Sequence, residues 1–279
     1  MASSPLVFTT DFGLLDPYAG VIKGVALTIN PDLQLIDLTH QVAPQNVSQG
    51  SFLLGLNYRF FPSDAIHVAV VDPGVGTDRR PILLITPWGR FVAPDNGLLS
   101  GVLAGHLESM PAIAGPIPLP KGLSAIHLTN PSYWRQPVSH TFHGRDMFTP
   151  VAAHLSLGVA PEDMGEIIDD LFFLPMAQPM HESNTITGQI IYQDTYGNLV
   201  SNIPVDSLPS ALSIEVQIEG RSISGLSRTF NNDTYPNDYG LIALAGSHGY
   251  LEVAVQNGSA AGFLGIKVAE GIPIVVISG

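Results

Sequence analysis

The chain has 279 residues, of which 45% are hydrophobic and only 13% charged, and its formal net charge is −13. Its 11 lysines and arginines are scattered singly, so no basic patch exists to neutralise phosphates, and nucleic acid is excluded as a partner. Cysteine is absent, which removes disulfides, thiolate catalysis and Cys-ligated zinc together.

The length suffices to bury roughly three quarters of the unfolded surface and to form one or two domains. So low a charge content predicts apolar surface covered by another subunit, and 28 glycines with 23 prolines predict many tight turns. Met1-Ala2-Ser3-Ser4-Pro5 has neither the charge nor the apolar run of a leader, and no apolar stretch reaches membrane-spanning length. The expectation is a cytoplasmic protein without a membrane partner. Asn46-Val47-Ser48 and Asn232-Asp233-Thr234 then match the N-glycosylation pattern by coincidence.

Residues 5–10 read as a first strand ending at Asp11-Phe12-Gly13. Asp16-Pro17 then opens a helix, with Asp16 as cap, whose apolar face is Tyr18, Val21, Ile22, Val25, Ala26 and Ile29. Asn30-Pro31 ends it, and residues 33–38 form a second strand. Asn46 caps a second helix carrying Phe52, Leu53 and Leu56. The apolar run from His67 to Val71 has the composition of a buried strand. This β-α-β-α-β order predicts a mostly parallel sheet with Asp11, Asp37 and Asp72 at strand ends along one edge, where open α/β sheets bind ligands.

The third strand breaks into Asp72-Pro73-Gly74-Val75-Gly76-Thr77, a turn in which Pro presets φ and Gly supplies freedom. Arg79, seven residues on, can fold back onto Asp72. The sequence resumes a strand from Pro81 to Ile85, so no helix follows the loop, and a phosphate cradle is ruled out. Two readings stay open: a structural ion pair that fixes a turn, or a carboxylate tuned for chemistry. Residues 90–93 continue as a strand into Pro94-Asp95-Asn96-Gly97 and a helix over 98–103, whereas 110–122 reads as an irregular excursion. The polar stretch Ser139-His140-Thr141-Phe142-His143-Gly144-Arg145-Asp146 leads into a helix over 147–155. His140 and His143 stand at metal-ligand spacing but lack a third ligand nearby, so no metal site is assigned.

The amino-terminal α/β domain is expected over 1–171 and a linker over 172–183. From 184 to 279 short strands over 187–192, 199–203, 213–219, 241–244, 251–255, 263–268 and 274–277 predict a small β-barrel. Asp194-Thr195-Tyr196-Gly197-Asn198 and Gly246-Ser247-His248-Gly249-Tyr250 are its polar loops, and hairpin turns alone would account for both.

Six segments in order resemble the S-adenosylmethionine hydroxide adenosyltransferases, relatives of the fluorinating and chlorinating enzymes. They are Phe8-Thr9-Thr10-Asp11-Phe12-Gly13, Val71 to Thr77, Ala93 to Gly97, Thr141 to Asp146, Tyr196-Gly197-Asn198 and Gly249-Tyr250-Leu251-Glu252. The resemblance implies an α/β domain, a carboxyl-terminal β-barrel, and a homotrimer with sites between subunits. It also implies a hydrolase in which water attacks ribose C5′ and expels methionine, leaving adenosine, with no metal or redox cofactor. The family's catalytic set falls on Asp72, Arg79 and His143. Asp11 falls where a carboxylate takes the ribose hydroxyls, Thr141 beside the reacting carbon, and Asp194 opposite the methionine amine, and Gly144 falls among the substrate-binding residues. Tyr196, Asn198 and Phe230 fall near adenine, and Ser247 near the methionine carboxylate. At Gln45 a fluorinating relative has an aromatic residue.

A halogenase of the same superfamily is the nearest alternative. Asp72 argues against it, because halogenases carry tyrosine there and a carboxylate repels halide. Pro87-Trp88-Gly89-Arg90 also joins its strands without the insertion of the fluorinating relatives. A non-catalytic sensor of adenosylmethionine or adenosine would need the pocket residues but not Asp72, Arg79 and His143.

Overall fold

The computed structural model describes residues 4–209, 213–231, 240–267 and 270–279, in two compact units that divide between Pro175 and Met176. Asn232-Asp233-Thr234 lies outside the described residues. No helix among the described residues is long and apolar enough to cross a membrane.

The first unit is built on a seven-stranded sheet. In chain order its elements are β1 (Leu6–Thr10), α1 (Tyr18–Ile29), β2 (Leu35–Thr39), α2 (Val47–Asn57), β3 (Ile66–Val70), β4 (Pro81–Thr86), β5 (Gly89–Pro94), α3 (Ser100–Ala104), β6 (Gly115–Pro118), β7 (Ser124–His127), α4 (Thr149–Ser156), β8 (Glu166–Ile168) and β9 (Asp170–Phe173). The strand order is β2-β1-β3-β5-β4-β7-β8. Pairs from β2 to β5 are parallel, as the β-α-β pattern predicts, and those beyond β5 are antiparallel.

Every residue of β3 is buried, because its alternating side chains enter two cores. Ile66, Val68 and Val70 pack with Ile22, Ala26, Phe148 and Val151 of α1 and the α4 region. Ala69 and Val71 pack with Leu54, Phe91 and Val102 on the α2–α3 side. A strand covered on both faces reads as an unbroken apolar run, which is why its end at Asp72 was plain in the sequence.

Several expectations are corrected. Asp16 makes no capping bond to α1, whose first flanking residue is Pro17. The buried positions of that helix are Ala19, Ile22 and Ala26, while Tyr18 and Val21 are 47% and 38% exposed. Asp37 lies within β2, paired with Phe8, and is not at a strand end. The stretch 110–122 contains β6, whose prolines are tolerated because it forms only a two-stranded ribbon with β9. Part of the segment read as linker is thus β9. Asn46 does cap α2, accepting from Gln49 N at 2.9 Å.

The second unit has β10 (Met180–Glu182), β11 (Thr185–Gln193), β12 (Leu199–Pro204), β13 (Ile214–Ile218), β14 (Arg221–Ser224), β15 (Leu241–Ala245), β16 (Tyr250–Val255), α5 (Ala260–Leu264) and β17 (Pro273–Ser278). The antiparallel order β14-β13-β17-β11-β12-β16-β15 curls until Ser227, just past β14, bridges Leu244 of β15. The sheet is therefore nearly closed around a core of Ile190, Leu199, Val216, Val253 and Val276, in agreement with the expected barrel. The strand expected over 263–268 is corrected: Phe263 and Leu264 belong to α5. Ser259 caps that helix through Gly262 N at 2.9 Å, and Gly265 ends it in the left-handed region. Val268 lies outside the described residues.

Candidate active site

Asp11 follows β1 and Asp72 follows β3, the neighbouring strand, so both carboxylates emerge at one sheet edge. They line a cleft of about 650 Å³ in the first unit with Gln45, Thr141, His143 and Gly144. The apolar wall includes Phe12, Tyr18 and Phe142, whose ring centroids lie 5.3–6.0 Å apart.

The turn after β3 is tied by Val75 N donating to Asp72 O at 3.2 Å and by Thr77 Oγ1 donating to Gly74 O at 2.6 Å. Gly76 at φ 80° brings the turn against the carbonyl of His140, where a Cβ would collide. Asn96 donates to Val71 O at 2.9 Å, which gives the Ala93 to Gly97 segment a reason to accompany this turn. The turn returns Arg79 to Asp72: Nε donates to both carboxylate oxygens at 3.0 and 3.1 Å, and Nη2 donates to Oδ2. Both side chains are at most 10% exposed, and the guanidinium lies 5.2 Å from the centroid of the Phe148 ring.

Arg79 Nη2 also lies 2.7 Å from His143 Nδ1. A guanidinium can only donate, so Nδ1 accepts and the neutral imidazole carries its proton on Nε2. Burial, and then the neighbouring Arg79 charge, hold the His143 pKa below its ordinary value. Asp72 and His143 are thus joined through one cation, with His143 left as a donor through Nε2.

The loop bearing Thr141 and His143 hangs on Asp146, a residue the reading of the sequence left out of the site. Its fully buried carboxylate accepts from Ser139 N and Oγ at 2.9 and 2.8 Å and from Arg145 Nε and Nη2 at 2.7 and 2.8 Å. Burial opposes its ionisation, but the bonds from Arg145 and Ser139 outweigh it and bring the pKa down to about 2. Gly144–Phe148 forms a widened, π-type turn before α4. A Cβ on Gly144 would press on the Phe12 ring at 3.1 Å, so glycine here serves the cleft wall. Gln45, at φ 63°, holds its backbone N–H 2.8 Å from Asp11 Oδ2. The local signal for Asp146 was its company, two arginines and a serine within eleven residues.

Asp194, Tyr196, Asn198, Phe230 and Ser247 belong to the second unit. One loop gathers the first three: Asp194 Oδ1 accepts from Tyr196 N and Asn198 N at 2.9 and 2.8 Å, and Oδ2 accepts from Asn198 Nδ2 at 2.9 Å. The ring of Tyr196 is exposed and Asn198 is buried. Phe230 is half-exposed, and Ser247 lies in the turn before β16, where His248 Nε2 meets Glu252 Oε2 at 3.2 Å.

A half-parallel α/β unit with two carboxylates in a cleft at its sheet edge, followed by a barrel-like unit, defines a two-unit α/β–β protein. Residues 6–165 match the SAM hydroxide adenosyltransferase N-terminal domain and residues 188–272 its C-terminal domain, so the chain belongs to that family. It is similar to a protein of Salinispora arenicola named (R)-S-adenosyl-L-methionine hydrolase, with 37% identity over 97% of each chain. A protein of the same name from Thermus thermophilus is 36% identical over 97% of this chain and 98% of its own. A fluorinase from an Actinoplanes species is 24% identical over 89% of this chain and 90% of its own. Among solved structures, an uncharacterised conserved protein of Thermotoga maritima superposes with a TM-score of 0.82, at 34% identity over 98% of this chain and 99% of that one.

Proposed function

We propose that the protein hydrolyses S-adenosyl-L-methionine to adenosine and L-methionine. The observation that carries this reading is the Asp72–Arg79–His143 chain at the cleft, in a member of this family. A sulfonium leaves without protonation, so the barrier lies in holding a weak nucleophile in line with the C–S bond. The water oxygen forms a bond to C5′ as the C5′–S pair withdraws onto sulfur, and the water loses one proton. Asp72 takes that proton, with Arg79 fixing its orientation and charge. His143, neutral and protonated on Nε2, donates to the water and does not act as the base.

In the same reading Asp11 receives the ribose hydroxyls, and Thr141 and Gly144 flank the reacting carbon. The second unit supplies Asp194, Tyr196, Asn198, Phe230 and Ser247 to methionine and adenine. The carboxylate of Asp72 in the cleft disfavours halide as nucleophile, since two anions would share a half-desolvated site. Assembly with a second subunit, as in a homotrimer, is supported by exposed Leu14, Leu15, Tyr18 and Val21, apolar side chains in the segment that follows the cleft residue Phe12. A cytoplasmic setting suits a cysteine-free chain, which gains nothing from an oxidising compartment.

The experiment is incubation with adenosylmethionine in ¹⁸O-water. Label is expected at O5′ of adenosine and absent from methionine. Methylthioadenosine as the product, or label in homoserine, would show that another bond breaks and end the proposal.

A further inference from the structure

Beneath the Asp11 turn runs a polar chain, buried at Thr10 and His40, that the proposed chemistry does not use. Thr10 is fully buried, and its Oγ1 lies 2.7 Å from His40 Nδ1. His40, 3% exposed, places Nε2 3.1 Å from Asp37 Oδ1, and Asp37 Oδ2 receives Lys23 Nζ at 2.6 Å. At the other end, Phe12 N donates to Thr10 Oγ1 at 3.2 Å, and Gly13 N donates to the His40 carbonyl at 2.7 Å. The two residues that follow Asp11 are thus held by bonds to Thr10 and His40.

Burial lowers the His40 pKa and so favours a neutral ring, and with that ring the protons of this chain have one consistent arrangement. Asp37 as a carboxylate can only accept, so His40 Nε2 carries a hydrogen and Nδ1 is the acceptor. The Thr10 hydroxyl gives its single proton to Nδ1 and turns a lone pair to Phe12 N–H. In the other neutral tautomer, two acceptors, Nε2 and Asp37 Oδ1, would face each other at 3.1 Å. A hydroxyl that donates one way and accepts the other fixes the direction of the peptide after Asp11 in a place water does not reach.

We infer that Thr10, His40 and Asp37 form a positioning relay that holds the Asp11 carboxylate in register for a vicinal diol. This rests on the reading that Asp11 meets the ribose hydroxyls. None of the three reaches the reacting atoms, so their loss falls on diol binding and not on turnover. The relay also links the two cleft walls, since the ring of Phe12, whose N–H it holds, packs on Phe142 at 5.7 Å.

The test measures the Kd of adenosine and of 2′,3′-dideoxyadenosine by calorimetry, with kcat followed separately on the whole protein. Thr10→Val keeps the shape and removes the hydroxyl. It should weaken adenosine about tenfold, leave dideoxyadenosine unchanged and leave kcat within about threefold of wild type. Thr10→Ser, which restores the hydroxyl, should recover discrimination. Should Thr10→Val fold poorly, Asp37→Ala acts at a half-exposed side chain, removes the acceptor at Nε2 and should reproduce the loss, and Asp37→Asn should rescue it. If wild type binds both nucleosides alike, or Asp11→Asn keeps its preference for adenosine, the Asp11 reading falls and takes the relay with it. If wild type discriminates, Asp11→Asn does not, and Thr10→Val and Asp37→Ala discriminate as well as wild type, the Asp11 reading stands and the relay is overturned. Equal weakening of both nucleosides would also overturn it, marking a general loss of packing.

Discussion

Two adjacent arginines leave the loop between β3 and β4 in different directions. Arg79 turns back to the cleft, where its guanidinium bonds Asp72 and His143. Arg80 turns away, donating to Asp95 Oδ2 at 2.9 and 2.5 Å and to Asp170 Oδ1 at 2.8 Å. Asp95 in turn accepts from Phe172 N at 2.8 Å, so Arg80 stitches the loop after β5 to β9. Both arginines meet a carboxylate only 5% exposed, and burial alone does not separate their tasks. What separates them is the surroundings. Asp72 lines a cleft and shares its cation with a histidine that lines it too, whereas Asp95 lies outside that cleft, shares Arg80 with Asp170 and accepts from the backbone of β9.

The largest expected effect tests the Arg79 side of this pair. Asp72→Asn keeps shape but removes the charge and the basic oxygen, and general-base help is typically worth ~10²–10⁴-fold. We predict a kcat loss of that order with adenosine binding retained, read from single-turnover rates and calorimetry. Near-normal turnover per folded molecule would return Asp72 to the status of a turn-fixing ion pair. Arg79→Ala should fall almost as far, and the double variant little further, because residues acting as one unit are not additive. Additive losses would mean that Arg79 has a task independent of Asp72.

Arg80→Ala should give the opposite phenotype. Removing one partner of a largely buried pair leaves Asp95 uncompensated, at about 3 kcal/mol. Urea melts should show that loss, and kcat per folded molecule should stay within about twofold of wild type. A large drop in kcat with unchanged stability would erase the contrast between the neighbours.

How far this contrast was legible depends on distance along the chain. Asp72 and Arg79 lie within one loop, seven residues apart, so their pairing followed from a strand end and a turn. His143, 64 residues from Arg79, entered only through the family resemblance, because no local pattern links the two. The role of Arg80 was invisible, since its partners are 15 and 90 residues away and the strand β9 was not recognised, its second half being read as linker. Two prolines hid β6, whose two-stranded pairing no local rule reveals. In the second unit Phe263-Leu264 suggested a strand, and the opposing signals, Ser259 as cap and Gly265 as terminator, were present but overridden by hydrophobicity. The Asp194 loop is the reverse case. Its carboxylate is engaged by its own backbone, so the turn was readable while its use toward a ligand was not.

A third position on the same strand sharpens the comparison from the stability side. His67, five residues before Asp72, is fully buried, stacked on Phe91 at 4.7 Å, and neither ring nitrogen has a hydrogen-bond partner among the described residues. Burial lowers its pKa to about 4 from an ordinary 6.5. The unfolded chain therefore binds this proton first, so the stability His67 contributes is complete above pH 6.5 and is lost as pH falls toward 4. At pH 5 the loss amounts to about 2 kcal/mol relative to neutral pH. His67→Phe preserves the stack and removes the titration. Any packing cost of the new ring is the same at every pH, so the slope of stability against pH is the quantity to compare. We predict that urea melts between pH 7 and 4.5 fall less steeply for His67→Phe than for wild type, by up to one proton's worth. The other histidines whose pKa values burial lowers, His40, His106, His127, His143 and His154, contribute to the slope that remains. An unchanged slope in His67→Phe would move the acid sensitivity to those other histidines.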